Sequence, residues 1–315
     1  MVDKTQISTS KTIQQRTGKT FHLATRLLPK RVRNSTYVLY AFFRVADDVV
    51  DTTEDRDPER QREELERIRE VALGERESDD KVLTAFRELA VRYDISDEDV
   101  NTFVDAMLAD LETTRYDTHE ELETYMRGSA VAVGNMMMDV MQVEDPETAA
   151  PHAAALAEAF QLSNFLRDVA EDIHEYDRVY LPAETREEYG VTVEQLRDRE
   201  VTAGFREAMR TELAYTETKY REGVAGIQYL PEDCQFAVLL SAVLYADHHR
   251  EIRARDCDVL TETPGLSTTR KLWLLAKTRA LWALNKDPEH VFYRVTELTQ
   301  QVDHRQRHGD PHPTP

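Results

Sequence analysis

Residues 37–51 read YVLYAFFRVADDVVD. All but four of these residues are apolar or aromatic. The four exceptions, Arg44, Asp47, Asp48 and Asp51, fall at i, i+3, i+4 and i+7, so a helix would carry them as one stripe. A helix that is apolar almost all round belongs in the interior of a bundle, and its polar stripe must then face the interior or a cavity. A second segment repeats the design. Gln161, Asn164, Asp168, Glu171 and Asp172 follow helical spacing within a frame of Phe160, Leu162, Phe165, Leu166, Val169 and Ile173, with Arg167 beside them.

Spacing alone carries little here. With 60 acidic residues among 315, on the order of eleven acidic i,i+4 pairs arise by chance, and most such pairs are solvated helix faces. The weight comes from the apolar frame and from its repetition. Internal salt bridges, Arg44 to Asp47 or Asp51 and Arg167 to Glu171, are the plain alternative, but they leave carboxylates over. An unpaired buried carboxylate costs several kcal/mol. Hard divalent cations fit the excess: Mg²⁺, or Mn²⁺ in its place, takes a few carboxylate oxygens and turns its other positions to water and phosphate. Two facing stripes could hold such ions against a diphosphate, with a hydrocarbon in the apolar remainder.

The rest of the chain agrees with an all-α fold. Gly (10) and Pro (11) are few, apolar residues recur at helical spacing, and no hairpin turns join alternating strands. The pattern predicts eight to eleven helices in a single domain over residues 16–300, after a flexible N-terminus (1–15) and before a disordered tail (301–315). The net charge of −20 argues against nucleic-acid binding and fits a salt-rich, halophilic cytoplasm in which repulsion is screened. Cys234 and Cys257 lack metal-ligand spacing and are expected to be reduced, in a cytoplasmic protein. The N-terminus has no signal-peptide core, and FAVLLSAVLYA (236–246) is too short to span a bilayer. TGKT (17–20) is no phosphate loop, because Ile13 stands where that motif needs glycine. Glu171 and His174 form one ExxH, whereas a di-iron bundle needs two. Asp105 and Asp110, with TRY (114–116), either support the site or are solvated-face acids, the second being the plainer reading. Phe42 and Phe43 read as core packing, though with Tyr40 they could also stabilise a passing cation.

GKTFHLATRLLPKRVR, YAFFRVADDVVD, YMRGSAVAVGNMM, NFLRDVAEDIHEYDRVYLP, RARDCDVL and RKLWLLAKTRA, spread over residues 17–285, together resemble the squalene/phytoene synthase family of trans-isoprenyl diphosphate synthases, on its phytoene synthase side. The resemblance implies an all-α isoprenoid-synthase bundle around a central cavity. It implies head-to-head condensation of two prenyl diphosphates, geranylgeranyl diphosphate giving phytoene or farnesyl diphosphate giving squalene or dehydrosqualene. It implies Mg²⁺ as cofactor, with NADPH needed only for squalene. By position it makes Asp47, Asp51, Asp168, Asp172 and Asn164 metal ligands, and Arg44, Arg167 and Gln161 diphosphate or metal partners. Thr17, Thr20, Phe21, Tyr40, Arg178, Tyr180 and Tyr245 match further substrate positions. Ser129, Val133 and Gly134 fall in a small-residue stretch that either lets helices approach closely or leaves room for a prenyl chain. The gap between Asp172 and RVYLP is one residue longer than the family pattern, and the segment after CDVL lacks the arginine that relatives often carry. Chain-elongating prenyltransferases and terpene cyclases do not fit residues 164–172, and a non-catalytic acidic scaffold is the remaining alternative. A product this apolar implies transient peripheral contact with a membrane, and no segment identifies the surface.

Overall fold

The computed structural model describes residues 6–7, 9–12, 19–51, 57–296 and 298, with the side chains of 19–21 excepted. The predicted 301–315 tail lies outside them. Near the start, Gln6 and Ser10 are buried, and Gln6 Nε2 donates to Thr84 Oγ1 at 3.4 Å.

Fifteen α-helices follow among the described residues. The first seven are α1 (Lys19–Thr25), α2 (Lys30–Asp51), α3 (Pro58–Leu73), α4 (Lys81–Tyr93), α5 (Asp97–Ala109), α6 (His119–Met126) and, after a π-helical turn at Arg127–Val131, α7 (Ala132–Met141). Next come α8 (Pro146–Arg167), α9 (Val169–Glu175), α10 (Ala183–Glu188), α11 (Val193–Arg197) and α12 (Ala203–Ala225). A 3₁₀ turn (Gly226–Tyr229) leads to α13 (Glu232–Ala254), α14 (Thr268–Leu284) and α15 (Pro288–Thr296). The count exceeds the eight to eleven expected because α1 and α9–α11 have seven residues or fewer, too short for periodicity to reveal. Among the described residues the only β pairing is an isolated bridge between Arg115 and Val179.

The helix boundaries follow from local chemistry. Asp57 caps α3 by accepting from the Arg60 amide, Pro58 fills the first position, and Gly74 ends the helix at φ 79°, a left-handed conformation that suits glycine. Asp145 and Pro146 start α8 in the same way. The acid-bearing helix α2 buries Val32, Thr36, Leu39, Phe42, Ala46 and Val50, which recur every three or four residues and face the core. The second acid segment is not one unbroken helix. Asp168 leaves helical geometry (φ −103°, ψ 15°) between α8 and α9, although the Asp168 amide still bonds to the Asn164 carbonyl at 2.9 Å and the Asp172 amide to the Asp168 carbonyl at 2.8 Å. The stripe therefore stays in phase through the break.

Two apolar clusters flank the centre. One joins α2–α7, with Phe42 stacked on Phe86 at 3.7 Å between ring centroids. The other joins α8, α12, α13, α14 and α15. Between them lies a cavity of about 1000 Å³.

Candidate active site

Four helices supply much of the wall, and each turns from apolar to polar along its length. On α2 the lining runs from Thr36, Leu39, Tyr40 and Phe43 to Arg44, Asp47 and Asp51. On α5 it runs from Phe103 and Met107 to Asp110 just beyond the helix. On α8 it runs from Ala149, Ala153, Leu156 and Phe160 to Gln161, Asn164, Arg167 and Asp168. On α13 Ala237 and Val238 give way to Ser241, Tyr245 and His248. The chamber thus has one polar pole and a long apolar remainder.

At that pole six acids, Asp47, Asp51, Asp110, Asp168, Glu171 and Asp172, share the wall with four cations, Arg44, Arg167, Arg178 and Lys271. Arg44 lies 2.7 Å from Asp48, 3.6 Å from Asp51 and 3.9 Å from Asp47. Arg178, only 8% exposed, reaches across from the second acid segment to donate to Asp51 at 3.3 Å and to the Asp110 carbonyl at 3.4 Å. Arg167 pairs with its neighbour Asp168 through Nε at 2.8 Å. Tyr125 donates to the buried Asp110 carboxylate at 2.8 Å.

The surplus of acid shows in the titration of these groups. Burial, then the neighbouring Asp51, pushes Asp47 up to about 7. The Asp47 side chain is 41% accessible, but to a walled cavity, which is why burial is the leading cause. Burial raises Asp110 to about 6, against the pull of Arg178 and the Tyr125 hydroxyl. Asp51 is raised by burial despite Arg178 and Arg44, and Asp172 is raised well above its ordinary value by burial and then by Asp168. Helix geometry adds to the load. Asp110 and Asp168 sit at the C-caps of α5 and α8. These are the negative ends of the helix dipoles, where carboxylates are disfavoured and cations favoured.

The donor set therefore fits a hard divalent cation. Among the described residues no three His, Cys, Asp or Glu side chains form a ready coordination group. A hard divalent cation needs no such group, since it binds through one or two carboxylates and completes its shell with water and phosphate. Arg44 Nε, Asp110 Oδ1 and Ser129 Oγ are buried without hydrogen-bond partners, which leaves polar capacity for a bound guest.

The cavity brings together Tyr40, Arg44, Asp47, Asp51, Ser129, Val133, Gly134, Gln161, Asn164, Arg167, Asp168, Asp172, Arg178, Tyr180 and Tyr245. Thr17 lies outside the described residues; Thr20 and Phe21 fall in α1, their side chains undescribed. Asp48 is the stripe member that turns outward, 61% exposed. Phe42 is buried in the core, while Phe43 reaches the cavity. Just before RVYLP, Asp177 has a φ of 54°, in the left-handed region that aspartate tolerates. Its carboxylate accepts from Arg115 at 2.8 Å and Arg197 at 2.7 Å, and the turn delivers Arg178 and Tyr180 to the site. Gly128 serves close packing: a Cβ there would lie 2.3 Å from the Thr102 carbonyl oxygen.

One expectation is corrected. Asp105 is a surface acid paired with Arg69 at 2.6 Å, but Asp110 is 8% exposed and lines the cavity. The signal was present, since Phe103, Met107 and Asp110 fall at i, i+4 and i+7. Lys271, Tyr125, Tyr176 and His248 were also missed. His248 Nδ1 lies 3.2 Å from the Tyr245 carbonyl, an acceptor, so Nδ1 carries the proton. Burial and then Arg167 lower its pKa to about 4, so the ring is neutral. In the lone ExxH, His174 Nε2 accepts from Arg199 at 3.2 Å.

Fold and site define a class of all-helical protein with one chamber, acid-rich at a single pole. The chain belongs to the squalene/phytoene synthase family of prenyltransferases, whose model matches residues 14–273. It is 32% identical over 267 residues to a phytoene synthase of Rhodobacter capsulatus, covering 84% of this chain and 78% of that protein. It is 33% identical over 259 residues to a phytoene synthase of Thermus thermophilus, covering 82% and 87%. A crystal structure of a dehydrosqualene synthase in complex with ligand superimposes with a TM-score of 0.81 at 25% identity, over 90% of this chain and 98% of that one. A squalene synthase from Alicyclobacillus acidocaldarius shares the fold, with a TM-score of 0.70 at 23% identity over 80% and 94%.

Proposed function

We propose that this protein joins two geranylgeranyl diphosphates head to head to make phytoene, with Mg²⁺ as cofactor. The observation that carries this reading is the chamber itself, acid-rich at one pole and apolar beyond it. Two curated phytoene synthases about a third identical over most of the chain support the C20 substrate.

Asp47, Asp51, Asn164, Asp168 and Asp172 would hold the metal, which supplies charge neutralisation for a departing diphosphate. Arg44, Arg167 and Arg178 give charge-assisted bonds to the same anion, strongest as negative charge builds on the leaving oxygen. The C1–O bond of one chain breaks, leaving an allylic cation. The double bond of the second chain attacks it and a proton is lost, giving a cyclopropylcarbinyl diphosphate. A second C–O cleavage, rearrangement and proton loss complete the reaction, so electrons balance without a reductant. The apolar wall keeps water from these cations, and the faces of Tyr40, Phe43 and Phe160 offer stabilisation of about 0.5–2 kcal/mol each.

The C15 alternative is favoured by one observation, the close superposition on a dehydrosqualene synthase. Incubating the protein with Mg²⁺ and either C20 or C15 prenyl diphosphate, with and without NADPH, separates the readings by the hydrocarbon formed. Phytoene from C20 without reductant is expected. Products from C15 alone transfer the assignment to that substrate, and no turnover from either defeats it. The acidic surface accords with a cytoplasmic enzyme, and so apolar a product calls for contact with a membrane face.

A further inference from the structure

We propose that the outward face of α14, whose N-terminal end follows residues of the cavity wall, is a docking surface for an anionic lipid bilayer. The large exposed hydrophobic side chains among the described residues are Leu27, Val91, Tyr229, Leu272, Trp273 and Leu284. Half of them lie on this one helix of 17 residues: Leu272 is 55% exposed, Trp273 44% and Leu284 86%. Ala276, Ala280 and Ala283 are exposed as well and, at helical spacing, join them into one stripe. The opposite side of the helix, Leu274, Thr278 and Trp282, is buried in the core. A stripe this apolar on a surface helix marks an interaction site.

Charge decides the occupant. The chain as a whole carries −20, yet residues 263–286 contain Arg270, Lys271, Lys277, Arg279 and Lys286 and no acid. Arg270 is engaged by the buried Asp247, at 2.6 and 2.9 Å. Lys277, Arg279 and Lys286 lie over the rings of Trp273, Phe236 and Trp282 at 4.8, 5.8 and 4.8 Å. Long basic side chains around an exposed Trp and Leu stripe are the composition of a helix lying in a lipid headgroup layer, apolar face down.

Position supports the same occupant. Pro264, Gly265 and Leu266, just before α14, and Lys271 in its first turn line the cavity. The stripe therefore begins next in the chain to residues of the cavity wall, so a bilayer seated on it lies close to where an apolar product forms. This use of the surface rests on the reaction proposed above, whereas the binding itself does not. Among the described residues no helix is long and apolar enough to cross a membrane, so α14 would lie on the bilayer.

The test is sedimentation of the full chain with phosphatidylglycerol vesicles and with phosphatidylcholine vesicles at low salt. Binding is expected for the first and weak or none for the second. The Leu272→Glu/Leu284→Glu variant should lose at least about tenfold in vesicle partitioning while turning over detergent-dispersed substrate like the parent. The two tryptophans, Trp273 and Trp282, both lie on α14. The parent should show a blue shift of fluorescence on anionic vesicles, and Trp273→Phe should not, because Trp282 is already buried. No binding to anionic vesicles, or equal binding by the double variant, overturns the proposal. A dimer in sedimentation velocity that Leu284→Glu splits, without vesicle binding, overturns it in favour of a second copy on this face. Vesicle binding without turnover by the parent supports the docking surface and defeats the proposed reaction instead.

Discussion

Asp47 sits in a walled cavity beside Asp51, with too little positive charge nearby to settle both. Asp47→Asn and Asp168→Asn should each reduce turnover by roughly 10²–10³-fold, the scale of losing one preorganised electrostatic contact. Asp47→Asn should leave metal-free thermal stability equal or higher, because a disfavoured charge is removed. Melting curves and initial rates on the same preparations check both halves. The pH dependence follows with a definite sign. The folded protein holds protons on Asp47 up to about 7 and on Asp110 up to about 6, against 3.8 unfolded. Between about pH 4 and 7 the native state thus binds more protons than the unfolded chain, and stability falls as pH rises. In EDTA the melting temperature should drop from pH 5 to pH 7.5, and Mg²⁺ with inorganic diphosphate should recover most of the loss. A flat profile would contradict the crowding of acids seen here.

Among the elements, α8 has one face on the cavity and another on a buried polar chain. Ser163 Oγ meets the Tyr220 hydroxyl at 2.9 Å and His249 Nε2 at 3.0 Å, while His249 Nδ1 lies 3.2 Å from Glu217 and Arg253 reaches Glu217 at 2.6 Å. Serine, histidine and acid in this order look like a nucleophile's relay, but Ser163 is 1% and His249 0% exposed, so no substrate reaches them. The chain fixes α8 against α12 and α13. Ser163→Ala should cost about 1–3 kcal/mol in denaturant unfolding, since it strands buried polar partners. A second tie is His119, at the start of α6, with Glu184 of α10 at 2.5 Å and Glu212 of α12 at 3.0 Å. Burial alone would lower its pKa, but these carboxylates raise it to about 8. Its stabilisation is complete below about 6.5 and is lost as pH rises through 8. Helices α2 and α8 were legible because their apolar frames are long and their polar residues keep phase. Lys271 and the turn at Asp177 were not, because they act from a helix end and a loop, where position depends on tertiary contacts and period gives no guide; Asp110 keeps the period of Phe103 and Met107 and could have been read from it.

Over the whole molecule, acids outnumber bases by 20, while α14 and the segment from Lys4 to Val45, which holds nine basic residues and no acid, run the other way. Self-repulsion of such a surface weakens as salt shortens the Debye length from about 10 Å at 0.1 M to about 3 Å at 1 M. The melting temperature should therefore rise between 0.1 and 2 M KCl, those concentrations being roughly the range over which screening saturates. A protein that melts at the same temperature throughout would show that the excess charge is already compensated locally. The all-α architecture was legible at this scale from scarce glycine and proline and from unbroken helical periods.

The gradient along α2, α5, α8 and α13 constrains how guests can lie. Two long amphiphiles sharing a chamber with a single wet end must lie side by side, pointing the same way, like neighbours in one leaflet. Their charged termini crowd together and their tails run off in company, so the carbons brought within bonding distance are those next to the charges. Which ends become joined is thereby decided by the shape and polarity of the room before any bond is broken.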